Sequence, residues 1–148
     1  MANIIPFSFR GALFSGQHDF QASGGNTFKL SLYVGGGTFP YTTASTVYSA
    51  TDEVSSGGGS NYAIKTLTRN GVASSTAVAS VDFANVTWSS ATFSAAYAAI
   101  YNGDTVDSTA NRLVVILDFG GSKTATNGDF TITFPDPATP ANAIISMS

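Results

Sequence analysis

The chain has 148 residues and a formal net charge of −3, with six basic and nine acidic side chains, one histidine and no cysteine. Six basic residues leave no electrostatic footprint for nucleic acid, and the lack of cysteine excludes a disulfide framework, a thiolate nucleophile and a cysteine-based metal site. Only 10% of the residues are charged, against roughly a quarter in ordinary globular domains, so we expect a partner to cover much of the surface.

The N-terminal segment, residues 1–25, is apolar but interrupted. It has no basic region, and no stretch of the chain approaches the ~20 apolar residues that span a bilayer. The sequence therefore predicts neither a signal peptide nor a membrane anchor, but a soluble protein made in a cytoplasm. Pro6, Gly11 and Gly16 break up any long strand, so we expect either an edge strand on the same domain or an extended arm on a neighbouring subunit. The residues predicted to make this contact are Ile4, Ile5, Phe7, Phe9, Leu13 and Phe14.

The next segments indicate strands and loops. Residues 28–34 alternate between apolar and polar side chains, which predicts a half-buried strand that ends at the glycines of 35–37. Residues 41–61 are rich in Thr, Ser and Gly, which favours loops with at most one edge strand.

Two irregularities follow. A strand predicted over residues 62–67 is closed by Asn70-Gly71, a dipeptide typical of two-residue hairpin turns. The apolar side chains of residues 81–83 and 86–88 have opposite parity, so the apolar face switches near 84–85, as it does at a β-bulge.

Residues 90–102 fit two structures. Phe93, Tyr97, Ile100 and Tyr101 match the spacing of a helix that Gly103 would end. The same residues, taken with alternate alanines, match a strand equally well. The two alternatives stay open at this stage, and the β character of the neighbouring segments favours the strand.

The C-terminal third favours strands throughout. Residues 112–119 are apolar on both faces and predict a central strand covered on both sides, followed by a turn at Gly120-Gly121. Residues 130–134 alternate, and residues 143–147 predict a terminal strand. Seven to nine short strands predict an all-β, antiparallel β-sandwich of jelly-roll-like type, in which residues 26–148 form one domain and residues 1–25 an extended N-terminal arm.

No constellation of catalytic or ligand-binding residues emerges. His18 is a conceivable general base, but we favour a solvated loop histidine. The spacing of oxygen ligands in residues 102–107 fits a calcium loop, but an Asx-type turn explains it more simply. The adjacent pair Asp52-Glu53 points to opposite faces of an extended segment and does not form a glycosidase pair. We therefore predict that the protein is not an enzyme, and we assign no catalytic, cofactor-binding or metal residues.

Three aromatic residues suggest an alternative in which the protein binds a carbohydrate or a receptor. Trp88, Tyr97 and Tyr101 could form a platform for sugar rings, which would make the protein a receptor-binding or carbohydrate-binding module. Aromatic residues at strand spacing are more often part of the core, and we favour that interpretation.

Several segments from about Phe28 to the C-terminus resemble a family of small virion proteins of tailed bacteriophages. The most specific is 117–135, LDFGGSKTATNGDFTITFP; the others are 81–88 (VDFANVTW), 91–93 (ATF), 99–102 (AIYN) and 142–145 (NAII). Residues 95–98 (AAYA) depart from the family pattern, and the N-terminal arm lies outside the resemblance.

The resemblance implies a β-sandwich or jelly-roll protein associated with the phage head, and such proteins sometimes act as cement (decoration) proteins. We expect this chain to be a cement protein on the outer surface of the head. Such a protein is made in the host cytoplasm, binds the major capsid protein and forms a homo-oligomer, a dimer or a trimer. The family has no catalytic residues or cofactors to carry over. We expect neither nucleic acid nor membrane as a partner.

Overall fold

A computed structural model describes residues 2–36, 39–74, 78–135 and 143–147. In these ranges the chain forms one helix and seven strands. They are α1 (Phe7–Phe14), β1 (Phe28–Tyr33), β2 (Lys65–Thr66), β3 (Arg69–Ser74), β4 (Ala79–Phe83), β5 (Val86–Asn102), β6 (Arg112–Ile132) and β7 (Ile145–Met147).

The strands form two antiparallel sheets with one core between them. The first sheet has the order β2-β1-β5-β6 and the second the order β3-β4-β7. Phe28 and Leu30 of the first sheet share a core with Phe83 and Ile145 of the second. The predicted all-β antiparallel sandwich is thereby confirmed. Its jelly-roll-like topology stays a prediction, because the described strands form sheets of four and three.

Strand β1 is covered on both faces, although its alternating pattern predicted one exposed face. Ser31 and Tyr33, which the alternation of residues 28–34 places on the polar face, are fully buried. Residues 39–54 lie over this face and bury Tyr33 and Tyr41 in a second apolar cluster. The loop structure predicted for residues 41–61 is confirmed apart from isolated bridges, such as that between Val47 and Arg112.

Strands β5 and β6 form one long ribbon, and residues 90–102 are strand throughout. The turn predicted at Gly120-Gly121 is wrong, because both glycines lie inside β6. Tyr97 pairs with Asp118 and Ala95 with Lys123, so residues 119–122 bulge out opposite Ala96 alone. The positive φ angles of Gly120 (70°) and Gly121 (135°) make this bulge possible. The predicted burial of residues 112–119 on both faces is confirmed for Leu113 to Ile116.

The hairpin turn predicted at Asn70-Gly71 and the β-bulge predicted at residues 84–85 are also wrong, because pairing with distant strands determines the structure at both places. Asn70-Gly71 lies inside β3, where the register with β4 shifts between Arg69 and Val72. Residues 84–85 connect β4 to β5, which belong to different sheets. The apolar parity therefore changes because the chain crosses the sandwich, rather than because a strand bulges.

The N-terminal segment is not an extended arm, contrary to expectation. Residues 7–14 form α1, which begins after Pro6 and ends at Ser15. Phe9 and Ala12, three residues apart, lie on one helix face and are buried in the domain. Phe20 stacks on Phe28 at a ring distance of 4.4 Å, so the segment that follows α1 also joins the core.

Candidate interaction surface

The six residues predicted to contact a partner separate into two groups. Ile4 pairs with Ile116 of β6 through two backbone hydrogen bonds of 2.9 and 2.8 Å, and Phe9 is fully buried. Ile5 and Leu13 are half-buried and pack against the core of their own domain. These four residues therefore stabilise the fold, and the prediction that Phe9 is available to a partner is wrong.

The other two residues, Phe7 and Phe14, project from the outer face of α1. Their side chains are 60% and 92% exposed. Because seven residues make about two helical turns, the two rings stand on one face, about 10 Å apart along the helix axis. Arg10, the single charged residue of α1, lies over the Phe7 ring with its guanidinium carbon 5.3 Å from the ring centroid.

A narrow apolar groove runs between α1 and the second sheet. Val72 and Met147, 60% and 59% exposed, line it together with Leu13 of α1. Its volume is about 60 Å³, and no charged side chain lines it. The remaining lining residues are Phe9, Phe20, Ala79, Ser80, Val81 and Ile145. We use the name α1 patch for two neighbouring sets of exposed or half-buried apolar side chains: Phe7 and Phe14 on the outer face of α1, and Leu13, Val72 and Met147 at the groove beside it.

The sequence did not indicate that Val72 and Met147 belong to this surface. They lie on β3 and β7, which flank β4 on its two sides: Val72 pairs with Val81, and Met147 with Ala79. Seventy-four positions separate the two residues along the chain, so their proximity follows from sheet pairing alone. No local motif could have revealed it.

The aromatic residues considered for sugar binding do not form an exposed platform. Trp88 and Tyr101 are buried, and the Trp88 Nε1 donates to the Ala63 carbonyl oxygen at 2.7 Å. Tyr97 is half-buried and stacks on Phe39 at a ring distance of 4.1 Å. The interpretation of Trp88 and Tyr101 as core residues is therefore confirmed.

The prediction of a solvated His18 is wrong, because its side chain is buried among aromatic rings. The expected Asx turn at residues 102–107 is present, since the Asp104 N–H donates to Asn102 Oδ1 at 3.0 Å. Among the described residues, no group of three or more metal-ligating side chains comes together. No helix in the same ranges is long and apolar enough to cross a membrane.

A cluster of tyrosines surrounds Glu53, and no pattern in the sequence predicted it. Glu53 accepts hydrogen bonds from the hydroxyl groups of Tyr48 and Tyr62, the latter at 2.6 Å. The Tyr33 and Tyr41 hydroxyl groups are hydrogen-bonded to each other at 2.7 Å, and the one that accepts in that bond donates its own proton to the Ser49 carbonyl oxygen. Burial raises the pKa of each of these four hydroxyl groups above its ordinary value. The cluster attaches residues 41–62 to the first sheet and leaves these hydroxyl groups protonated at neutral pH.

A larger groove, of about 630 Å³, runs beside β6. Its lining includes the apolar side chains of Phe119 and Ile144 and the charged side chain of Lys123. Pro135 and Ala143, which also line it, border the part of the chain outside the described residues. The α1 patch lies wholly within the described residues, and we take it as the candidate site.

Comparison with known proteins identifies no relative. No protein-family model, curated protein or solved structure matches the chain. The function is therefore argued from the chemistry of the α1 patch and from its support in the fold. This patch is suited to non-covalent association, because its side chains are apolar and Arg10 is the one charge on its helix.

Proposed function

We propose that this protein is a cement or decoration protein of a tailed-bacteriophage virion. It binds the major capsid protein on the outer surface of the head and contacts neighbouring copies of itself. The observation that carries this proposal is the α1 patch. Its residues Phe7, Phe14, Val72 and Met147 are the four most exposed large apolar side chains among the described residues. Such concentrations of apolar surface mark sites of association in soluble proteins.

The packing of α1 on the sandwich favours binding to a rigid partner. Phe9 on the inner face of α1 contacts Phe20 and His18, with ring centroids 6.2 and 5.1 Å apart. This packing fixes the backbone of α1, from which Phe7 and Phe14 project, so little backbone entropy is lost on binding. A capsid shell is a rigid partner, and a preorganised aromatic contact suits it.

The low charge of the chain supports the same function. Fifteen of 148 residues are charged, so large areas of the surface can be covered without removing many ions from water. A contact of standard size, about 800 Å² per partner, is enough when many copies bind one shell and touch one another. The resemblance of several segments between about Phe28 and the C-terminus to virion proteins of tailed phages supports this proposal.

The test is co-sedimentation of the purified protein with phage heads that lack it, scored for affinity and saturation stoichiometry. We expect saturable binding in multiples of the capsid symmetry. The double variant Phe7→Ser/Phe14→Ser should lower the affinity at least tenfold, because two exposed aromatic contacts are lost. Point substitutions are preferable to deletion of residues 1–16, since that deletion would also remove the buried Phe9.

The matched control is Val47→Ser, which changes an exposed apolar side chain outside the patch. It should bind heads as the unmodified protein does. If the double variant binds as tightly as the control, the α1 patch is not the contact with the capsid. If the unmodified protein does not bind heads at all, the cement function is rejected.

A further inference from the structure

The single histidine of the chain connects the N-terminal segment to the sandwich. His18 is 8% exposed and contacts three phenylalanine rings. Its ring centroid lies 5.1 Å from that of Phe9 on α1, 6.3 Å from Phe20 and 6.4 Å from Phe28 on β1. The imidazole therefore occupies the junction between α1, the segment after it and the first sheet.

The hydrogen bonds of His18 determine where its proton resides. Its Nδ1 lies 3.1 Å from Nδ2 of the buried Asn102. The orientation of that amide is fixed because Asn102 Oδ1 accepts the Asp104 N–H. The Asn102 amide nitrogen therefore donates to His18 Nδ1, and the neutral ring carries its proton on Nε2. This Nε2 is buried and has no hydrogen-bond partner among the described residues.

We infer that His18 is an acid-sensitive switch whose protonation releases the N-terminal segment, residues 2–25, from the sandwich. A second proton has to enter at Nδ1, where it would face the N–H donors of Asn102. The resulting charge would also lie among apolar rings, out of contact with water. Both costs disappear when the ring leaves its site. Only three residues separate His18 from the end of α1, so movement of the ring also displaces the helix.

The charged groups around His18 do not stabilise its protonated form. The basic side chains disfavour a second positive charge, and the acidic side chains interact with other groups. Burial lowers the pKa of His18 from 6.5 to about 4, and the charge of Arg112 on β6 adds to this effect. The charged side chains on α1, on residues 15–33 and on residues 86–112 are Arg10, Asp19, Lys29, Asp104, Asp107 and Arg112. The three acids are engaged elsewhere: Asp19 with the Gln21 N–H, Asp104 with Asn26 and Thr27, and Asp107 with Gln17 and Arg112.

The size of the effect follows from the two protonation equilibria. A histidine in the released segment titrates near 6.5, whereas the buried ring titrates near 4. Opening is therefore coupled to proton uptake between these values. Its equilibrium constant should rise about 20-fold between pH 7 and pH 5. Release would also displace Phe7 and Phe14, so head binding should weaken in acid; only this consequence rests on the proposed function.

The experiment is hydrogen exchange of the intact protein at pH 7 and pH 5, followed by mass spectrometry of peptides that cover α1. After correction for the intrinsic exchange rate, protection of α1 should fall about 20-fold at pH 5. Fluorescence of the single tryptophan, Trp88, should stay constant, because the core remains folded. Unchanged protection of α1 would overturn the inference, as would a His18 NMR titration near 6.5 with α1 still protected.

Two variants assign the effect to His18. His18→Gln removes the titrating group, so protection of α1 should no longer depend on pH. Asn102→Asp places a carboxylate oxygen opposite Nδ1, which favours the protonated ring, so acid should no longer release α1. If His18→Gln keeps the 20-fold change, another group is responsible.

Head binding separates the two proposals. Acid release of α1 without head binding at pH 7 rejects the capsid function alone, and head binding without acid release of α1 rejects the switch alone.

Discussion

At the scale of single residues, Tyr62 illustrates how one hydroxyl group joins a loop to a sheet. Its oxygen accepts the backbone N–H of the buried Leu32 at 3.0 Å and donates to Glu53 at 2.6 Å. The loop and strand β1 therefore share one polar contact inside an aromatic environment. An unsatisfied N–H in such a place costs far more than an average hydrogen bond contributes.

We predict that Tyr62→Phe destabilises the fold by about 1–3 kcal/mol, because it leaves the Leu32 N–H without an acceptor. Tyr48→Phe is the matched control: it also removes a hydroxyl group from Glu53 but leaves no buried backbone donor unsatisfied. Urea unfolding followed by circular dichroism measures both. Equal losses for the two variants would show that the contact with Glu53, and not the one with Leu32, carries the energy.

Sequence patterns predicted the burial of residues such as Phe28 and Leu30 correctly, but they wrongly predicted that His18 and Ser31 are exposed. Apolar side chains at alternate positions bury themselves wherever a sheet forms, so their own chemistry predicts their burial. A polar side chain is buried only if other parts of the chain cover it and supply a partner. For His18 those parts are Phe9 and Asn102, which the sequence alone does not bring together.

At the scale of elements, two of the four glycines in the N-terminal segment lie in opposite environments. Gly11 lies on the exposed side of α1, and a Cβ atom there would meet nothing within 4 Å. A Cβ atom on Gly25 would lie 2.6 Å from the Asp19 carbonyl oxygen and 2.7 Å from that of Gln21. The same substitution should therefore have opposite effects at the two sites.

We predict that Gly11→Ala stabilises the protein by about 0.5–1 kcal/mol, because alanine loses less backbone entropy in a helix. Gly25→Ala should destabilise it by about 1–3 kcal/mol, because backbone atoms have to move to admit the methyl group. Urea unfolding of both variants gives the two free energies. Stabilisation by Gly25→Ala would contradict the tight turn around residues 19–25, and destabilisation by Gly11→Ala would contradict the helix.

At the scale of the whole molecule, the buried tyrosines predict how stability depends on alkaline pH. Burial raises the pKa of Tyr101 to about 12, with a contribution from the charge of Glu53. The pKa values of Tyr33, Tyr41, Tyr48 and Tyr62 are raised as well. The folded state therefore holds more protons than the unfolded state above pH 10, so the free energy of unfolding falls as pH rises.

We expect the urea midpoint to be lower at pH 11 than at pH 9, and to fall further towards pH 12. The Tyr62→Phe variant should show a smaller decrease than the unmodified protein, because one perturbed hydroxyl group is gone. A midpoint that does not change between pH 9 and pH 11 would contradict the burial of the tyrosine cluster.

The all-β class, the strands at 28–33 and 130–132 and the burial of 113–116 could be predicted from the sequence, since alternating or continuous apolar side chains act locally. It took the folded chain to place Gly120-Gly121 inside a strand, to make residues 7–14 a helix and to bring Leu13 beside Val72 and Met147. The difference lies in the range of the interactions. Strand pairing and coverage of a second face involve residues far apart in the chain, and they override the turn and arm signals of a short segment.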